Sequence, residues 1–212
     1  MERIRIFIRA YRSEFVMWVF IGLLIASPVA DVHPLVGFTM ALAFFGVILY
    51  GATFMAESRV VVRAGLFLAA LWMVCHLVEL RFGQYYYSPY VGLLLNCVVA
   101  VGILSKFEER REVTRNLIAE AVIGYLVIAV AFSQIYWILN RVLVQGFSPP
   151  LPTFEQSSFL YFSLTTLTTV GFGDIQPVNH YIRFVAAFEG VAGVFYLAII
   201  IARLVSGYKL QR

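Results

Sequence analysis

The sequence predicts an all-α membrane protein with six transmembrane helices and a re-entrant segment between the fifth and sixth. Three observations carry this. First, 61% of the 212 residues are apolar and only 13% are charged, whereas a soluble domain carries roughly 25% charged residues. A chain so poor in charge cannot present a mostly wetted surface. Second, apolar runs close to the roughly 20 residues that cross a bilayer recur along the chain. Third, the basic residues fall in the short gaps between those runs. The net charge of +4 therefore follows a membrane pattern and implies lipid, not nucleic acid, as the partner.

The six expected crossings are Phe15–Ala30, Leu35–Met55, Ala64–Leu80, Pro89–Ser105, Leu117–Asn140 and Tyr181–Val205. The first and fourth are short and rely on snorkelling side chains and interfacial aromatics at their ends. Tyr85, Tyr86, Tyr87 and Tyr90 form such a belt before the fourth crossing, since a tyrosine ring prefers lipid and its hydroxyl water. With the N-terminus in the cytoplasm, thirteen of the sixteen Lys and Arg residues lie in cytoplasmic segments, and only Arg81, Arg141 and Arg183 lie outside. The positive-inside rule then places both termini in the cytoplasm of a multi-pass plasma-membrane protein.

Cys75 and Cys97 sit in the middle of apolar runs, where a thiol packs as a small hydrophobe. Neither a C-x-x-C pair nor Cys/His metal spacing is present.

About 40 residues separate the fifth and sixth crossings, too many for a simple connector. They contain an apolar stretch, Phe154–Leu167, that is too short to span and carries several Ser and Thr residues. Such a length favours a re-entrant or buried helix. Pro152 blocks an earlier start, and Thr153 with Gln156 has the spacing of a capping box. Non-helical backbone follows, in Thr168-Thr169-Val170-Gly171-Phe172-Gly173-Asp174. At membrane depth such backbone is tolerated only inside protein or along a water-filled path. Gly171 and Gly173 alternate, and glycine takes positive φ without penalty. An alternating backbone turns successive carbonyls to one side, and Thr169 adds a hydroxyl at one end.

The stretch Tyr161–Asp174, set between two spanning segments, resembles the pore loop of tetrameric potassium channels. The resemblance covers Leu117–Val205, under half of the chain. It implies a pore helix, then a selectivity filter in which Thr169, Val170, Gly171 and Phe172 offer carbonyls to K+ and Gly173 shapes the outer mouth. It implies a homotetramer, because one strand cannot ring an ion. The expected function is passive K+ permeation, with no cofactor and no catalytic residue. A weakly selective cation channel and a non-conducting channel-like subunit are the alternatives. Phe172 departs from the commoner tyrosine and lacks a hydroxyl that could tether the filter.

Around this filter, Asp174 is expected to hydrogen-bond behind the strand and attract cations. Thr165 and Thr166 are expected to support it from the pore helix. Glu189, deep in the sixth crossing, is expected to bond to one of those threonines, since ionisable groups at that depth are kept for a purpose. Gly193 falls where the resemblance places an inner-helix hinge, although glycine also permits close helix packing. Glu120 and Arg203, near the cytoplasmic ends of the pore-domain helices, can pair or snorkel separately. His76 and Glu79, one turn apart, fit polar packing better than a metal site, and Asn96 fits an interhelical hydrogen bond.

The expected organisation is a four-helix domain over 1–105, a charged surface linker over 106–116, and a pore domain over 117–212. Between Pro89 and Ser105 there is no Lys or Arg, so the first four helices lack the arginines that sense voltage in their usual form.

Overall fold

The computed structural model describes residues 2–32, 34–50, 59–82, 87–109, 114–143, 145–152 and 155–209. They form eight helices and one two-stranded ladder: α1 Glu2–Ile25, α2 Ser27–Val32, α3 Pro34–Tyr50, α4 Arg59–Phe82, α5 Ser88–Glu109, α6 Arg115–Val142, β1 Phe147–Ser148, α7 Gln156–Leu167, β2 Gln176–Pro177 and α8 His180–Lys209. The protein is a membrane protein with several apolar helices. Stretches long and apolar enough to cross a bilayer lie in α4 (Arg59–Glu79), α6 (Arg115–Val142) and α8 (His180–Ser206), and Ser88–Ile103 in α5 is apolar but shorter.

Local chemistry explains most boundaries. The first expected crossing is divided into α1 and α2. Pro28 has no N–H to offer the carbonyl of Leu24, so an unbroken helix loses a bond there. Pro34 opens α3, the position where a missing N–H costs nothing. Thr114 caps α6, its hydroxyl accepting from the Leu117 amide at 3.2 Å. α5 runs on through Lys106–Glu109, so the first part of the expected linker is helical. The expected cap of α7 is corrected: Glu155 occupies the N-cap position and makes no side-chain bond to the helix amides. Thr153 lies outside the described residues, as do Gly51–Met55 of the second crossing and Tyr85 and Tyr86 of the tyrosine belt.

α6 is the hub, packing against α1, α5, α7 and α8. One cluster of buried residues runs from Phe20 and Leu24 on α1, through Leu95 and Val99 on α5 and Ile123 and Val127 on α6, to Tyr196 and Ile200 on α8. Apolar contact drives little between helices that could equally face lipid, so close approach and hydrogen bonds matter more. Both occur. Gly92 lets α5 approach its neighbours, since a methyl there would meet Gln134 Nε2 at 2.6 Å and Trp72 Nε1 at 3.2 Å. Asn96 Nδ2 donates to Gln134 Oε1 at 3.0 Å, the interhelical bond expected of it. Tyr196 on α8 donates to the Ala121 carbonyl at 2.7 Å.

A second buried cluster is mostly aromatic: Tyr136, Trp137, Phe147, Phe159, Phe162 and Ile182. Tyr136 and Phe162 meet edge to face at 4.9 Å, and Phe147 and Phe162 at 5.1 Å. This cluster wedges α7 between α6 and α8. The β1–β2 ladder pairs Phe147 with Pro177 and Ser148 with Gln176. It ties the chain entering α7 to the chain leaving the loop that follows.

Candidate functional site

The site is built from the last turn of α7, the Thr168–Asp174 segment and the side chains behind them. α7 ends with its carbonyls facing that segment. The Thr168 amide bonds to the Leu164 carbonyl at 3.1 Å, and the Thr169 amide to Thr166 at 3.0 Å. The Thr165 carbonyl takes two amides, from Val170 at 2.9 Å and Gly171 at 3.1 Å. The N–H groups of Thr168, Thr169, Val170 and Gly171 therefore point back to α7. Thr165 and Thr166 support it with main-chain oxygen, while the Thr165 hydroxyl donates within α7 to Phe162.

The backbone alternates in hand. φ is +61° at Thr169, +51° at Gly171 and +78° at Gly173. The two glycines are conformations foreseen from composition. Thr169 is not, and a β-branched residue at positive φ is an outlier that costs on the order of 1–3 kcal/mol unless its surroundings hold it. The amide bonds from α7 flank it on both sides. No sequence rule flagged this residue, because threonine by itself argues against the conformation.

Along one chain the segment is open. Val170 is 56% exposed and Phe172 70% exposed. Phe172 nevertheless has a partner: its ring stacks on Tyr161 with centroids 6.3 Å apart and planes 3° from parallel. The same Tyr161 donates its hydroxyl to Asp174 Oδ2 at 2.7 Å. Tyr161 thus supplies the tether that the Phe172 ring lacks. Its hydroxyl bond holds the Asp174 carboxyl below the usual carboxylate range. At the far end, Gln176 Nε2 donates to the Gly173 carbonyl at 2.9 Å.

Glu189 is fully buried on α8, but its partners differ from those expected. Oε1 lies 2.5 Å from Ser163 Oγ on α7, and Oε2 accepts from the Tyr136 hydroxyl on α6 at 2.5 Å. Thr165 and Thr166 lie past Ser163 toward the end of α7, and Ser163 is the wholly buried hydroxyl on the face turned to α6 and α8. Ser163 Oγ also lies 2.8 Å from the Ala129 carbonyl. One carboxyl group therefore joins three helices directly behind the segment.

Gly193 sits where α8 crosses the end of α7. A side-chain methyl there would collide with the Leu167 carbonyl and come within 3.0 Å of Leu167 Cδ1. The observed geometry requires close packing at this glycine. The Leu167 carbonyl also accepts from the Tyr125 hydroxyl on α6 at 2.9 Å, so α6 and α8 together fix the end of α7.

The remaining polar candidates lie elsewhere. Glu79 Oε1 accepts from the Tyr87 amide and, at 2.8 Å, from the Ser88 amide, capping α5. His76 stacks on Trp72 with centroids 5.2 Å apart. No group of three or more His, Cys, Asp or Glu side chains suited to a metal occurs among the described residues. Glu120 accepts from Ser13 Oγ at 3.2 Å, and Ser13 also meets Tyr50 at 3.0 Å, so this acid ties α6 to α1 and α3.

No curated protein and no solved structure matches the chain. Residues 124–208 match a protein family described as ion channel, a family of pores and not of enzymes. The matched stretch, about two fifths of the chain, holds most of α6, all of α7, the alternating segment and nearly all of α8.

Proposed function

We propose that four copies of this chain form a potassium-selective channel, with ions passing in file along the carbonyls of Thr169, Val170, Gly171 and Phe172. Gly173 and Asp174 form the outer mouth. The observation that carries this reading is positive φ at every second residue from Thr169 to Gly173, in a segment whose Val170 and Gly171 amides are taken up by Thr165. With the N–H groups engaged behind, carbonyls are free to replace the hydration shell of a cation.

Geometry and surface both support a tetramer. A single strand surrounds nothing. α8 exposes Phe184, Phe188, Val191, Phe195 and Ile199 along one stripe and Val194, Leu197, Ile201 and Val205 along another, which suits a helix touching lipid, sister helices and the pore. The six crossings, the cytoplasmic termini and the plasma-membrane location belong to the same reading. So does its organisation as 1–105, 106–116 and 117–212. Lipid is a further partner in this reading. The lack of arginines over Pro89–Ser105 argues for opening by something other than an arginine voltage sensor. Gly193 acts by close packing in this reading, and bending there requires the contact with Leu167 to part.

Reversal potentials of purified protein in planar bilayers with opposed K+ and Na+ gradients test the reading. A potential near the K+ equilibrium value is expected. One midway between the K+ and Na+ values would mean a weakly selective channel, and no current would mean a non-conducting relative.

The mouth offers a pH test. Asp174 is held ionised to lower pH by Tyr161, so the acid fall-off of current should lie at low pH in the parent. Tyr161→Phe removes that bond and lets the carboxyl pKa rise toward its ordinary value. The acid limb of the current–pH curve should therefore move to higher pH. A limb that stays put, or moves lower, would detach Asp174 from conduction.

A further inference from the structure

The first helices reach the pore helix through an acidic side chain. Asp31, on α2, places Oδ2 3.2 Å from the backbone nitrogen of Ser157 in the first turn of α7, 126 residues away. The first amides of any helix have no partner inside it. The residue in position to serve them here, Glu155, turns its carboxylate to the Ser158 hydroxyl at 3.3 Å instead. A carboxylate from a different part of the chain fills the gap. The sign is right as well, because the start of a helix carries partial positive charge.

How Asp31 arrives there is written in the chain. Pro28 breaks the first crossing, Pro34 starts the next helix, and the intervening α2 packs against both α3 and α7. An unbroken first crossing would carry residue 31 onward along the axis of α1, away from this position. The break delivers it to α7.

We propose that Asp31 is a positioning residue for the ion pathway, anchoring the start of the pore helix to the peripheral helices. α7 has 12 residues, so it is a rod about 18 Å long. Its far end holds Val170 and Gly171 through the Thr165 carbonyl. Movement at the anchored end is transmitted to the filter by the stiffness of the helix. The first three helices thus have a direct mechanical hold on the filter, without any arginine sensor. The consequence for current rests on the permeation reading above, whereas the anchor itself does not.

Hydrogen–deuterium exchange on the full chain in lipid nanodiscs reads the anchor, and K+ flux from the same protein in liposomes reads its consequence. In Asp31→Ala, exchange in peptides covering the start of α7 should rise roughly fivefold, the effect of losing one helix cap, with α4 and α5 peptides unchanged. Flux should fall by a similar factor. Asp31→Asn keeps an oxygen acceptor and should restore both toward the parent, whereas Asp31→Leu, which fills the space without an acceptor, should behave like Asp31→Ala and so separate capping from mere space filling. Unchanged exchange in Asp31→Ala, failure of Asp31→Asn to restore it, or parental flux despite faster exchange would each overturn the proposal. If the parent itself carries no K+ while the exchange difference persists, the permeation reading fails and the anchor stands.

Discussion

Gly171→Ala is expected to abolish K+-selective current while leaving assembly intact. Within the subunit no atom lies within 4 Å of a side-chain methyl built at this position, so crowding inside one chain is not the cause. The cost is in the backbone. φ is +51°, and an L-residue held in the left-handed region loses about 1–2 kcal/mol relative to its preferred conformations. In the proposed tetramer four copies meet at one axis, so the assembly would bear about 4–8 kcal/mol if each subunit kept the geometry. The segment relieves this by rotating away, and the carbonyl ring is lost. Thr169 pays a comparable strain at +61°, but it sits between amide bonds to α7, whereas Gly171 is followed by open chain. Reversal potentials and Rb+ uptake into liposomes check the result. Selective current within about twofold of the parent would show that this alternation is not what selects the ion.

Glu189 carries the second large effect, this time on stability. Glu189→Ala removes a wholly buried group that meets Tyr136 and Ser163 at once. It strands the Tyr136 hydroxyl and opens a cavity among three helices, and the sum is about 3 kcal/mol per subunit or more. Glu189→Gln keeps the shape. Its amide oxygen accepts from Tyr136, and its NH2 donates to Ser163 Oγ, whose own proton then goes to the Ala129 carbonyl. The loss should be under about 1 kcal/mol. Thermal unfolding of the assembled protein in detergent separates these cases. Equal losses for the two variants would mean that charge, and not the hydrogen-bond chain, is what the site needs.

Several elements were legible without coordinates. Among the described residues the expected crossings fall on helix, the first of them broken at Ala26, because long apolar runs in a charge-poor chain have few other conformations at bilayer depth. α7 was legible from its length and its flanking prolines. The positive φ of Gly171 and Gly173 was legible from residue type, since glycine is where such angles are cheapest. Asn96 found its interhelical partner for a similar reason: a buried amide must bond to something.

Other features could not be read. The local pattern points to Thr153 as the cap of α7, yet the N-cap position falls on Glu155 and Asp31 contributes from across the fold. Proximity to the loop points Glu189 to Thr165 or Thr166, two or three residues from its partner Ser163, because helical phase selects the buried hydroxyl. Tyr161 gave no signal of its own, although it both stacks on Phe172 and bonds to Asp174.

By itself the sequence determined which segments are helical, which apolar one is too short to span and where the backbone can change hand. These follow from hydropathy, length and the steric freedom of glycine, all properties of neighbouring residues. Only the tertiary structure decided which groups hold that backbone in place: Thr165 carbonyl, Tyr161, Ser163 with Glu189 and Tyr136, and Asp31 at the far end of α7. Hydrogen bonds are short and directional, so a rotation of a few tens of degrees about a helix axis changes their partners while leaving every local preference satisfied.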